Sequence, residues 1–159
     1  MTFWTLTFVA FAALAAASMF RVRFAYAAFV VLGVLWMPAR ASFRLSPTSC
    51  ETAMSIPLAV YSMTNYKHIG LFAMFAMMTL AQFEPDDRWR FLKLAVIALG
   101  MTVLVEGEQA LLGLGHCRVR DVIPNTTGTV VGACLMEAGR AFRKSRRRTA
   151  LNGNIVRRP

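Results

Sequence analysis

Two groups of polar residues in this chain have the types and spacing to do chemistry. The first is Glu106 and Gln109. Three positions apart on a helix, they share one face, while Glu108 projects elsewhere. A carboxylate in such a place can handle a proton, hold a ligand or pair with an arginine. The second group is Arg118, Asp121, Asn125, Gly128 and Gly132. From Asp121 onward the steps are four, three and four, which draws one stripe along a helix. Gly128-Thr-Val-Val-Gly132 is a GxxxG motif, through which a neighbouring backbone can approach closely. Asn125 would face that neighbour, with its amide in reach of Glu106 or Gln109. Asp121 also fits as an N-cap, with Pro124 tolerated in the first turn. Lys67 and His68 open an earlier helix and add a cation and an imidazole to the set.

These residues leave open whether the set binds a ligand, acts on one or only clamps the helices together. Glu106 and Asp121 have the types of an acid and a base, but no nucleophile stands out beside them. His68, His116, Glu106 and Asp121 could surround a metal ion. Their spacing has nothing of the regularity of HExxH, so no metal and no cofactor is expected. The three cysteines, Cys50, Cys117 and Cys134, include no CxxC pair, which removes zinc-ribbon and thioredoxin-type chemistry. A disulfide between Cys50 and Cys117 is open to the chain but not fixed by spacing.

The elements that must carry these residues read as membrane helices. Of the 159 residues, 57% are hydrophobic and only 16% charged, and long neutral runs separate the charges. About 20 apolar residues cross the hydrocarbon core. Only helices or closed barrels can do so, and continuous rather than alternating runs argue against the barrel. The expected fold is all-α, a polytopic membrane protein with a bundle of about five transmembrane helices. The spans would be Phe3–Phe20, Phe24–Met37, Lys67–Phe83, Phe91–Val105 with a helical continuation to Gln109 or Leu112, and Val122–Gly139. Four remain if the first is cleaved or the second, which is short, does not cross. Thr52–Met63, interrupted by Pro57, is expected to lie against the bundle as an interfacial or re-entrant piece.

Charge gives the bundle a direction. Much of the net charge of +10 sits in the tail Arg140–Arg158. Aromatic residues do not interleave with its basic ones beyond Phe142, so no nucleic-acid partner is expected. With the tail in the cytoplasm, thirteen of the eighteen Lys and Arg lie inside and five outside, as the positive-inside rule asks. Lys67, His68, Glu106, Gln109, Arg118, Asp121 and Asn125 then gather at the extracytoplasmic end.

The pattern E-x-x-Q at Glu106 and Gln109, a short loop, then R-x-x-D-x-x-x-N-x-x-G-x-x-x-G from Arg118 to Gly132 resembles the signature of the VanZ-like membrane proteins. Lys67-His68, followed by Phe72 and Phe75, is similar to that family's earlier helix start, although the usual Asp before the Lys is missing. The resemblance covers about Lys67 to Leu135. It makes a three-helix core of 67–139, while hydropathy and charge give the flanking parts: N-terminal hydrophobic helices and an extracytoplasmic loop over 1–66, and a basic cytoplasmic tail over 140–159. It also implies a multi-pass protein of the bacterial cytoplasmic (inner) membrane, with membrane lipids as surroundings. The expected partner is a cell-surface or lipid-linked glycan at the outer leaflet, or another membrane protein. The founding member of that family is associated with resistance to the glycopeptide teicoplanin. The alternative is a non-enzymatic scaffold or assembly subunit, with the polar set as an interhelical clamp.

Overall fold

The computed structural model describes residues 3–114 and 117–156. Helices α1 (Phe3–Met19) and α2 (Arg23–Arg40) form a hairpin, turning at Arg21 with φ 63°. An irregular segment over 44–55 leads to α3 (Ile56–Ser62). There the Ser55 hydroxyl accepts from the Leu58 N–H at 3.4 Å, and Pro57 occupies the first turn, where its missing N–H costs nothing. Helices α4 (Tyr66–Ala81) and α5 (Arg90–Leu112) follow, then a 3-10 turn (Val119–Asp121) that feeds directly into α6 (Val122–Val156). Helix α5 stops at Gly113 for two physical reasons. Its φ is +60°, and a Cβ there would lie 2.7 Å from the carbonyl oxygen of Ser46.

The helices fall close to the segments that hydropathy marks, but they are not spans. Among the described residues no helix is long and apolar enough to cross a membrane. This corrects the expected bundle of about five transmembrane helices. It likewise corrects the assignment to a multi-pass bacterial inner-membrane protein with a cytoplasmic C-terminus. The reason lies in length and interruption. At 1.5 Å per residue, α1 with 17 residues and α4 with 16 residues reach only about 25 Å, against a hydrocarbon core of about 30 Å. Helix α2 has an arginine at each end and Pro38 inside. The uncharged stretch of α5 runs only from Leu94 to Val105, between Lys93 and Glu106, and that of α6 stops before Glu137. Much of the apolar content lies instead on outer faces, as with Val96, Leu99 and Val103 on α5 and Val130 and Leu135 on α6.

Helix α4 is the hub. On one side it meets α6 so closely that added methyl groups would not fit. A Cβ on Gly128 would strike the carbonyl oxygen of Ile69, and one on Gly132 that of Ala73. Both steps advance by four, so the two helices run parallel. Below this contact Ala76, Leu80 and Ala81 pack with Leu94 and Met136. On its other side α4 carries Met78 against Ala15 and Phe29. The Tyr26 and Thr79 hydroxyls, 2.9 Å apart, fix α2 on it. At the end away from His68, Arg140 donates to the Leu80 carbonyl at 2.7 Å and pairs with Glu137, which also holds Arg90 at 2.9 Å.

Candidate functional site

The polar residues meet where the start of α4, the last turns of α5 and the start of α6 come together. The segment before α3 closes this end. It runs along α5 through Ser46 N–H to the Leu111 carbonyl (2.9 Å) and Thr48 N–H to the Ala110 carbonyl (2.7 Å). It is then tied to the α5–α6 connection by the Cys50–Cys117 disulfide, which spans 67 positions. A single bridge of backbone follows. Glu51 N–H donates to the Cys117 carbonyl (2.9 Å), and Val119 N–H donates to the Glu51 carbonyl (3.1 Å).

That bridge sets Glu51 beside two arginines. Arg120, almost wholly buried, reaches the two carboxylate oxygens with two nitrogens at 2.6 and 3.1 Å. This fork-to-fork pairing gives charge and geometry together. Arg118 Nε lies 3.3 Å from Glu51 but is not aligned for a hydrogen bond. The Arg120 hydrogen bond, with the charge of both arginines, holds the Glu51 carboxyl below its ordinary range. Glu51 carries no motif of its own. Its only sequence signal is that it is an acid directly after a cysteine.

Beneath this pair lies the cluster. Glu106 accepts from the backbone N–H of Arg118 at 2.9 Å through Oε2, while its buried Oε1 has no hydrogen-bond partner among the described residues. Arg118 thus bonds it through its backbone N–H. Burial pushes the Glu106 carboxyl above its ordinary range. Nearby Asp121 adds to the push, and the Arg118 N–H and the His68 and Arg118 charges oppose it. Asn125, fully buried, does not bond Glu106 or Gln109 as the stripe suggested. Its Oδ1 lies 2.8 Å from His68 Nδ1, and its Nδ2 has no partner among the described residues. A carbonyl oxygen only accepts, so Nδ1 is the donor in this bond and Nε2 takes no part in it. Asp121 ends the 3-10 turn and is buried. One ligand-type atom each from His68, Glu106 and Asp121 lies within 4.8 Å of the others.

Of the residues singled out by spacing, His68, Glu106, Arg118, Asp121 and Asn125 converge here. Lys67 is exposed, and Gln109 makes no hydrogen bond among the described residues. His116 lies outside them. Gly128 and Gly132 serve the site from below, since the close contact at Ile69 holds His68 next to Asn125. Beside the cluster an apolar cavity of about 420 Å³ opens between α1, α2, α4 and α5. Phe72, one turn after His68, lines it together with Val105, Phe29 and Trp36, and Glu108 stands among these walls. Burial raises the Glu108 carboxyl as well. Searches against family models, curated proteins and solved structures returned no match for this chain.

Proposed function

We propose that this protein binds an amphiphilic glycan, of the cell-surface or lipid-linked kind, that presents hydroxyls to the polar cluster and its apolar part to the adjoining cavity. The observation that carries this reading is a set of buried polar atoms without partners. Glu106 Oε1 and Asn125 Nδ2 are both buried and without a partner among the described residues, and each such group costs free energy unless something else satisfies it. Carboxylates accept from sugar hydroxyls and the Asn125 amide donates to them, so the cluster suits a polyhydroxylated head group. The apolar walls ending near Glu108 suit the rest of an amphiphile. The arginines contribute less to ligand contact than their charge suggests, because Glu51 already occupies Arg120. The resemblance to VanZ-like proteins favours an envelope glycan over other polar amphiphiles. The Cys50–Cys117 bridge favours an oxidising compartment, where such bonds persist.

A second reading, the interhelical clamp, is favoured by the His68–Asn125 and Glu51–Arg120 contacts, which join separate segments. The two readings part on conservative substitution. Purified protein is titrated with a lipid-linked disaccharide, following the fluorescence of Trp36 in the cavity wall. Saturable binding is expected, with Asp121→Asn and Glu106→Gln weakening it by roughly tenfold or more, about 1.4 kcal/mol, at unchanged melting temperature. Loss of the fold in both variants without any saturable binding by the native chain establishes the clamp instead.

A further inference from the structure

We propose that His68, Glu106 and Asp121 form a site for one divalent transition-metal ion of the zinc or manganese type. Three segments contribute: the first turn of α4, the last third of α5 and the turn before α6. Their ligand-type atoms already lie within 4.8 Å of one another. Around an ion at about 2.1 Å, such atoms sit about 3–4 Å apart, so closing the site takes side-chain movements of about an ångström. The frame needs no rebuilding. The Gly128 and Gly132 contacts, the disulfide and the Glu106 bond to the Arg118 N–H hold it in place.

Three further observations point to a cation. First, His68 Nδ1 is held 2.8 Å from the Asn125 oxygen, and Nε2 takes no part in that bond. That outer hydrogen bond is the usual companion of a metal-ligating histidine. Second, Glu106 Oε1 is buried without a hydrogen-bond partner among the described residues, and the carboxylate of the buried Asp121 stands close to that of Glu106. Two such anions repel unless a positive charge lies between them. Third, the guanidinium groups of Arg118 and Arg120 both pair with Glu51, so Arg118 reaches Glu106 only through its backbone N–H and its charge at a distance. One imidazole and two carboxylates make a borderline donor set, which suits zinc or manganese better than calcium or copper(I). No thiolate takes part, since Cys117 is in the disulfide and Cys134 is exposed on α6. Three protein ligands leave a coordination position open to water or a ligand hydroxyl. The proposal does not depend on the glycan, because the ion alone is the probe.

The test uses the full-length, disulfide-bonded chain, stripped with a chelator and titrated with Zn²⁺ and Mn²⁺ against a chromophoric competitor. We expect about one ion per chain at a dissociation constant of about 10 μM or tighter. His68→Gln, Glu106→Gln and Asp121→Asn should each weaken binding by about tenfold or more. Asp86→Asn, on the exposed turn before α5, should leave it unchanged. Glu106→Gln keeps an oxygen for the Arg118 N–H, so its metal-free melting curve should stay cooperative. If the ligand variants fail to fold, the native chain loaded with Co²⁺ decides, by a visible d–d band without thiolate charge transfer. No binding below about 1 mM, binding indifferent to all three substitutions in folded variants, or no Co²⁺ band overturns the proposal. Metal binding without glycan binding would sink the glycan reading alone, and glycan binding without metal binding would sink the metal site alone.

Discussion

Replacing Cys50 and Cys117 together by serine tests the frame that presents the cluster. The disulfide closes a loop of 67 positions. For a loop of that length the chain-entropy relation gives about 4 kcal/mol of stabilisation through the unfolded state. In a chain of this size each kcal/mol moves the melting temperature by about 2–4 °C, so a fall on the order of 10 °C is expected for the C50S/C117S variant. The local effect should be larger than the global one. The Glu51–Cys117 and Val119–Glu51 backbone bonds hang on this tie, and they place Glu51 against the buried Arg120. Without that partner Arg120 becomes a buried, uncompensated charge, which is among the costly defects of a folded protein. Differential scanning calorimetry reads the total, and amide exchange at Glu51 and Val119 reads the local part. A reductant should lower the melting temperature of the native chain by a similar amount and leave the double variant unmoved. A variant that melts within about 2 °C of the native chain, with both amides still protected, refutes the reasoning.

Two further outcomes follow from the packing and the charge of the site. Gly132→Ala should cost about 1–3 kcal/mol, because its Cβ would also lie 2.8 Å from backbone carbon atoms of Ala73; Gly100→Ala, with nothing within 4 Å, should be neutral or slightly stabilising, and equal denaturant midpoints for the two would remove the close-contact argument. Burial raises the folded-state pKa of Glu106, so its contribution to stability is present below the ordinary glutamate value of about 4 and is lost as pH rises through the raised one. With a chelator present, the melting temperature of Glu106→Gln should therefore gain on the native chain as pH climbs out of the carboxylate range, and a pH-independent or opposite difference would refute the assignment.

What the sequence makes legible here is local, and what it hides is register. The stripe Asp121, Asn125, Gly128, Gly132 is visible because helical period alone places those residues on one face. The structure does bring that face against another helix. Its partner is a different matter. Asn125 was expected to meet Glu106 or Gln109 and meets His68 instead. Neither helix states by itself that Gly128 will lie over Ile69 and Gly132 over Ala73, and that alignment decides which side chain Asn125 finds. Hydropathy is ambiguous in a similar way. An apolar run says that a segment avoids water, while crossing a bilayer also demands uninterrupted length. The 17 residues of α1, the 16 of α4 and the charges within α5 do not provide it.

Glu51 was least legible of all. It enters the site because the segment before α3 folds back over the end of α5 and is pinned to Cys117, a contact between positions far apart in the chain. Its effect reaches past its own ion pair. By pairing with Arg118 and Arg120, Glu51 offsets part of the positive charge beside Glu106 and Asp121. The charge balance of the cluster is therefore set in part by a residue outside it. Weakening that hold, as in Glu51→Gln, would free the guanidinium groups to turn toward the two carboxylates. In that arrangement arginine competes directly with any cation the site would bind. The charge balance of the cluster thus rests in part on a loop residue that no periodicity in α4, α5 or α6 could reveal.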